Sequence, residues 1–426
     1  MKYLKKYQTK SAYDADYYSG AIPFPHVALV AGEVFYAEQF ESVTDERTPM
    51  YVEALEDLTV KFSRNAIQYS MNNSTWVDLP VDTATPTVSA GSKIYFRATG
   101  LTATSSTYGI GTFTISGKCN LGGNTMSLLH GADFIGQLYL TTNYTFCRLF
   151  YGQAKIINAK RLILPAMSLR TYCYYYMFYN CASLEEAPEL PATGLNTYCY
   201  SNMFYGCSNL KKAPALPATT TQQYCYANMF QNCAGLEEAP ELPATGLSSY
   251  SYYYMFYNCT SLKKAPALPA TILNQYCYHL MFYNCASLEE APELPAMELS
   301  IYCYSGMFHG CSNLKKAPAL PALALQNSCY ASMFYNCTSL ETAPVLPALT
   351  LVSNCYNSMF YNCSNLQYIK AMFTSAPNSP SGANSSWVYG VAAAGTFVKN
   401  PDATWENTFG VNAIPTGWEV ILEGDE

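Results

Sequence analysis

The sequence predicts a mainly β chain with short helical turns: a repeat solenoid of 26-residue rungs, preceded by a small β-sandwich and an N-terminal β segment. Two observations carry that expectation. A Met-Phe pair followed three residues on by Cys recurs eight times at a fixed interval, from Met177/Phe178/Cys181 and Met203/Phe204/Cys207 through to Met359/Phe360/Cys363. A period of this length means units that touch mainly their neighbours. Between anchors each unit carries a short apolar run bounded by proline, Leu184, Ala187 and Leu190 in the first, which suits one brief strand per turn of a parallel stack. At ~4.8 Å per stacked strand the eight rungs span roughly 40 Å.

Within a rung, Pro188 and Pro191 lack N–H groups and mark where strand pairing lapses. The Tyr-Cys-Tyr-x-x-Met-Phe run spaces its apolar residues at three and four, as a single helical turn does. The expected rung is therefore a short strand, a proline bend, and a turn of helix on the opposite side.

The motifs "MFYNCASL", "APELPAT" and "YCYSNMF" resemble the BspA-like leucine-rich repeats of Bacteroidetes and of the phages and mobile elements living in them, over about residues 147–373. The resemblance implies a leucine-rich-repeat solenoid and a binding role, and names no ligand, because such solenoids are grafted onto many roles.

Successive rungs alternate in charge: Glu185-Glu186, Lys211-Lys212, Glu237-Glu238, Lys263-Lys264, Glu289-Glu290, Lys315-Lys316. Stacking would set opposite charges side by side and disfavour a slip by one rung. Solvated charges inherited by duplication of a two-rung block explain the pattern equally. Fifteen of the seventeen Cys fall in two columns, beginning at Cys173 and Cys181, with Ser251 filling one slot. A small side chain recurring in every rung reads as a buried thiol packed under the next rung. Inter-rung disulfides are the alternative, and a metal fits least because the close C-x2-C spacing of zinc sites is absent.

The chain divides into an attachment segment at 1–48, the β-sandwich at 49–118, the solenoid at 119–370 with a degenerate first unit at 119–170, and a C-terminal cap at 371–426. In the first segment the runs His26–Val30 and Val34–Tyr36 around Ala31-Gly32 read as a hairpin. The second shows strands at Leu58–Phe62, Ile67–Met71, Trp76–Leu79, Lys93–Ala98 and Thr112–Ser116, separated by turn residues. In the degenerate unit Leu149-Phe150-Tyr151-Gly152 stands for the anchor and Leu164-Pro165-Ala166 for the proline step. The cap holds a Ser/Pro/Asn/Gly loop, Trp387-Val388-Tyr389, Gly395–Lys399 and Gly417–Leu422, and the acidic tail Glu423-Gly424-Asp425-Glu426 is expected to be solvated.

Charged residues make up 12% of the chain and the net charge is −7, which argues against nucleic acid as a partner. No apolar run approaches the ~20 residues of a membrane span. The basic opening leads into no apolar stretch, so no signal peptide is expected. Lys5-Lys6-Tyr7 and Pro25–Val30 resemble the opening of structural proteins from Bacteroides-infecting phages. That resemblance implies a virion location in the tail, other virion subunits held through the N-terminal segment, and the trimeric state usual for phage fibres. The alternative location is the bacterial cell surface, as a BspA-like adhesin.

No catalytic pattern is present, and no cofactor or metal is expected. The four histidines include His279 and His309, both in variable repeat positions. There is no G-x-S-x-G, H-E-x-x-H, Walker or EF-hand motif, and the Glu pairs repeat beside Lys pairs rather than forming one unique site. The candidate function is a tyrosine-rich binding surface. Tyr174 recurs in every rung, which suggests packing. The column Tyr179, Tyr205, Gln231, Tyr257, Tyr283, His309, Tyr335, Tyr361 tolerates Gln and His and is expected to be partly exposed. The pairs before Met-Phe vary most and include Tyr175-Tyr176, Tyr253-Tyr254 and His279-Leu280. Tyr, Ser, Asn and Gly are the residues binding loops favour. Such a face would meet a glycan or protein receptor on a host cell, or it is only the tolerant convex side of the solenoid.

Overall fold

Parallel backbone bridges run without a break from the N-terminal sheet to the C-terminal one, and the rest of the architecture hangs on that ladder. The computed structural model describes residues 3–7, 35–39, 45–103 and 109–425. Strands β1 (Tyr3–Tyr7) and β2 (Phe35–Gln39) pair antiparallel as a two-stranded unit. The run at 26–30, its turn at 31–32, Val34 and the terminal Glu426 lie outside the described residues. The partner seen for the 35–36 run is the chain's opening.

The next six strands are β3 (Tyr51–Ala54), β4 (Val60–Phe62), β5 (Ile67–Ser70), β6 (Val77–Leu79), β7 (Lys93–Arg97) and β8 (Phe113–Ile115). They are followed by β9 (Cys119–Asn124) and β10 (Ile156–Ile163). One sheet has the order β10-β9-β3-β7-β5-β6, and β4 pairs β8 in a second. Phe96 of the first sheet packs edge-on to Phe113 of the second at 5.1 Å, and Phe62 lies 4.7 Å from Phe113. The junction is knit at β9, which pairs antiparallel with β3 and parallel with β10. Asp45 there accepts from Arg161 at 2.7 Å and from the Tyr51 hydroxyl at 3.2 Å.

From β10 the ladder continues one residue per rung: Asn158, Glu186, Lys212, Glu238, Lys264, Glu290, Lys316, Thr342, Tyr368. The brief strand expected in each rung is a single bridging residue, because prolines remove the donors on its C-terminal side. Lys160–Glu186 (3.5 Å), Lys211–Glu237 (3.8 Å) and Lys212–Glu238 (2.9 Å) form ion pairs along it.

The opposite side of each rung is not a helical turn. From Tyr172 to Cys181 the N–H groups alternate in destination. Those of Cys173, Tyr175, Met177, Tyr179 and Cys181 bond three residues back, and those of Tyr172, Tyr174, Tyr176, Phe178 and Asn180 bond carbonyls of the next rung. Positive φ at Tyr172, Tyr176 and Asn180, repeated in every later rung, bends the chain into consecutive four-residue turns. An α-helix would need every N–H inside its own segment, so this ribbon of turns excludes it.

The ribbon puts two residues in and two out. Cys173, Tyr174, Met177, Phe178 and Cys181 are buried, whereas Tyr175, Tyr176, Tyr179 and Asn180 face outward. All seventeen cysteines are free and buried. Core phenylalanines stack from Phe178–Phe204 at 5.5 Å to Phe334–Phe360 at 5.8 Å. The column is closed at its start by Phe150 and Phe113, which stack at 5.5 Å, so the β4-β8 sheet covers the core's first ring.

Beyond Tyr368 the stack continues. Strands β11 (Tyr368–Ala371), β12 (Thr396–Lys399) and β13 (Glu419–Leu422) pair in parallel. Phe360 N donates to Trp387 O and Asn362 N to Tyr389 O, so Trp387-Val388-Tyr389-Gly390 occupies the place of Met-Phe-Tyr-Asn in one further, longer rung. The segment expected as a C-terminal cap is ordered by the same parallel pairing. Trp405 and Trp418 donate their indole N–H groups back to the carbonyls of Phe373 and Ala392, and Trp387 donates forward to the carbonyl of Ala413.

Candidate binding surface

The outward residues of the ribbon line up from rung to rung because equivalent side chains are set one stack repeat apart. The predicted column stacks as Tyr151–Tyr179–Tyr205, with ring separations of 4.9 and 4.7 Å. It is interrupted by Gln231 and resumes as Tyr257–Tyr283–His309–Tyr335–Tyr361–Tyr389 at 4.3 to 4.7 Å. These residues are half-buried, the end rings Tyr151 and Tyr389 being exposed. Their partial exposure follows the expectation from tolerance of Gln and His. The invariant Tyr174 column is instead core, 1% exposed in each rung.

A third tyrosine column, the first Tyr of the Tyr-Cys-Tyr run, was not singled out in the sequence as an outward one. Tyr144, Tyr172, Tyr198, Tyr224, Tyr250, Tyr276 and Tyr302 form a continuous stack at 4.4 to 4.7 Å, half-buried along most of its length. Its signal was present: Tyr stands two residues before the core Tyr in six consecutive rungs.

The variable pairs lie between the two outer stacks and join them where they are aromatic. In the first rung Tyr172, Tyr175, Tyr176 and Tyr179 touch in series at 5.2, 4.0 and 4.9 Å. In the fourth, Tyr250, Tyr253, Tyr254 and Tyr257 do so at 5.6, 4.2 and 5.1 Å. His279 sits among Tyr253, Tyr254, Tyr276 and Tyr302. The phenols of Tyr175 and Tyr253 are pushed up, first by burial and then by hydrogen bonds to Tyr176 and Tyr254. Burial holds His279 and His309 down to about 4, so both are neutral at physiological pH. The ribbon positions of all eight rungs contain no Asp, Glu, Lys or Arg. Arg148, at the N-terminal margin, lies over the rings of Tyr151 and Tyr176.

This is an uncharged wall of rings, amides and hydroxyls, flanked on another side of the rung by the charge ladder. An open groove of about 840 Å³ there is lined by Glu289, Glu290, Glu293, Lys315, Lys316 and the adjoining prolines. Among the described residues no group of three His, Cys, Asp or Glu is placed to hold a metal ion. Nor is any helix among them long and apolar enough to cross a membrane.

A scan against protein families matches the BspA type leucine rich repeat region, in six copies over residues 154–263 and 275–376. The repeat region belongs to the BspA-type leucine-rich-repeat family. Searched against curated proteins, the chain matches none. Among solved structures it is similar to a chain titled "Crystal structure of TLR13-ssRNA13 complex", at 16% identity and a TM-score of 0.26. That match covers 59% of this chain and 31% of the other, so the chain spans about a third of the structure it resembles. A leucine-rich-repeat domain suggests a protein-binding surface, and among the described residues the outward side of the repeats carries the two charge-free tyrosine stacks.

Proposed function

We propose that this chain is a non-enzymatic receptor-binding protein, a tail-associated structural subunit of a phage virion that presents the tyrosine face of its BspA-type repeats to a host cell-surface receptor. The single observation that carries the binding role is the pair of outer tyrosine stacks, joined at Tyr175-Tyr176 and Tyr253-Tyr254. Stacked rings hold one another in place, so a partner meets side chains that lose little rotamer freedom on contact. The virion setting is supported by the resemblance of Lys5-Lys6-Tyr7 and its surroundings to phage structural proteins. Through that N-terminal segment the chain would dock to other virion subunits, as a trimer on the fibre pattern.

The family itself favours a second setting, a Bacteroidetes cell-surface adhesin using the same face. Mass spectrometry of purified particles and of outer-membrane and secreted fractions separates the two. The intact chain in particles supports the virion reading, and its confinement to membrane or secreted fractions replaces it with the adhesin. The face itself is tested by Tyr253→Ala/Tyr254→Ala, expected to weaken attachment to host cells at least tenfold with the unfolding midpoint nearly kept. Undiminished attachment would remove the tyrosine face from the reading.

A further inference from the structure

The proline side of the rungs, opposite the tyrosine ribbon, carries its own regular pattern, and that pattern changes character about half-way along the stack. In the fifth rung Glu293, Pro295 and Met297 are exposed while Pro292, Leu294 and Ala296 are buried, so the ladder charges and Met297 share one outward face. The column that holds Thr193, Thr219, Thr245 and Thr271 in the first four rungs becomes Met297, Leu323 and Leu349 in the next three. Met297 is 67% exposed and Leu323 70%, and both Leu349 and Ile272, which adjoins Thr271, are more than half exposed. A threonine column has become an apolar stripe that faces solvent.

The ladder charges change over the same stretch. Lys160, Lys211 and Lys212 pair within the chain with Glu186, Glu237 and Glu238. Among the described residues Lys263-Lys264, Glu289-Glu290 and Lys315-Lys316 form no ion pair, and all six are exposed. The open groove between the fifth and sixth rungs runs from Glu289 and Lys315 to Pro295 and Pro321, which stand two residues before Met297 and Leu323. A partner for this face must change the sign of its charge at every rung, about every 4.8 Å. Side chains on one face of an extended peptide repeat at roughly 6.8 Å and fall out of step. A second copy of the same stack keeps step by construction.

We propose that the proline faces of two copies of this chain meet about a two-fold axis lying along this groove, between the fifth and sixth rungs. Such an axis reverses the partner's stack, and every contact is made twice. The fifth rung then faces the partner's sixth, and the fourth faces its seventh. Glu289-Glu290 meet the partner's Lys315-Lys316, Lys263-Lys264 meet the partner's Glu341, and Met297 lies on the partner's Leu323. Charge and apolar stripe therefore agree on one register. An axis parallel to the stack would set each rung on its own counterpart, Glu on Glu and Lys on Lys, which costs free energy. Four rungs at ~4.8 Å, each roughly 25 Å from Glu290 to Met297 at ~3.1 Å per residue, make a patch at the small end of specific interfaces, so the pairing is reversible. Reversal points the two N-terminal segments apart, so the contact joins chains of separate assemblies and adds to any trimer held at that segment. Both tyrosine ribbons stay uncovered on the outer sides of the pair.

Sedimentation of the full chain between ~1 and ~300 µM should show its mass doubling with concentration, and doing so less readily as salt rises. Met297→Thr/Leu323→Thr installs the residue that the first four rungs carry in that column, and should raise the midpoint concentration for doubling at least tenfold. Glu289→Lys/Glu290→Lys sets Lys on Lys across the axis, and Lys315→Glu/Lys316→Glu sets Glu on Glu, so each of these variants alone should shift the midpoint by as much. Mixed in equal amounts, the two charge variants meet Lys on Glu at both contacts and should pair as well as the parent chain. With the axis one rung away in either direction, the mixture keeps a like-charged contact and is not restored. Unfolding midpoints close to the parent's establish that each variant is folded. A mass that stays constant with concentration, at one chain or at three, overturns the proposal. So does doubling that survives Met297→Thr/Leu323→Thr, or that the mixture fails to restore.

Discussion

The thiol of Cys207 donates a hydrogen bond to the carbonyl oxygen of Phe178, one rung earlier in the stack, at 3.1 Å. The same contact is made by every cysteine of its column, from Cys181 on Phe150 to Cys363 on Phe334. Each thiol thus closes the turn ribbon of one rung against the next, at the point where the chain leaves the ribbon for the ladder side. Burial pushes these thiols up, Cys233 to about 12. The native protein should therefore give no reaction with a thiol-specific disulfide reagent at pH 8, and the denatured protein should titrate seventeen thiols. Fewer than seventeen after denaturation would reveal disulfides. Cys285→Ala, which removes one donor and about one methylene's volume, should lower the unfolding free energy by roughly 1–2 kcal/mol.

Asn or Gly occupies the last outward position of all eight ribbons: Asn180, Gly206, Asn232, Asn258, Asn284, Gly310, Asn336 and Asn362, with φ between 55° and 75°. Other residues are strained there. In Asn284 the side chain also donates to Asn258 Oδ1 at 2.9 Å. Asn284→Ala should cost about 1–2 kcal/mol by denaturant unfolding and Asn284→Gly clearly less. Equal losses would show that the amide bond matters and the backbone does not.

That column also explains what was legible in the sequence. The period, the buried thiols, the alternating charges and the partly exposed Tyr179 column could all be read because each depends only on which residues recur. The helical turn could not be read correctly, since apolar residues paired at a spacing of four fit one turn of helix and a square ribbon of turns equally well. The Asn/Gly column did not discriminate either, because a helical turn also commonly ends on such a residue; the left-handed positions within the run that exclude a helix, Tyr172 and Tyr176 in the first rung, carry no constant Asn or Gly. The further rung at Trp387-Val388-Tyr389-Gly390 was missed because its Trp and Val disguise the Met-Phe anchor and its spacing is stretched.

Acid should loosen the ribbon through its histidines. Burial lowers His279 and His309 to about 4 from an ordinary 6.5. The unfolded chain then takes up protons that the folded chain refuses, so their contribution is complete above pH 6.5 and is lost as pH falls from 6.5 toward 4. Glu46, raised to about 7 by burial despite Arg47, acts in the opposite sense, since its proton is favoured by the folded state and stability falls as pH rises from 4.5 to 7. The variants separate them. His309→Tyr, the residue most other rungs carry, should show a smaller drop in unfolding midpoint between pH 6.5 and 4 than the parent chain. A drop of the same size would place the acid sensitivity elsewhere.

The alternating ladder makes a prediction with a definite sign. Excising residues 211–236 removes one rung and sets Glu186 beside Glu238, whereas excising 211–262 removes two and sets Glu186 beside Lys264. Both deletions preserve the ribbon, the thiol column and the core stacks, because each rung contacts only its neighbours. They differ in the ladder alone, where Lys212 and Glu238 now pair at 2.9 Å while largely exposed. Exposed pairs contribute at most about 1 kcal/mol, so neither deletion should prevent folding. Salt is the discriminating readout. Screening relieves repulsion between like charges and weakens attraction between opposite ones. The one-rung deletion should therefore gain stability between low and ~0.5 M salt, and the two-rung deletion should hold level or lose slightly. If both respond alike, the alternation is a relic of how the repeats were copied and sets no register. Opposite slopes would mean that the charges help decide which rung lies on which.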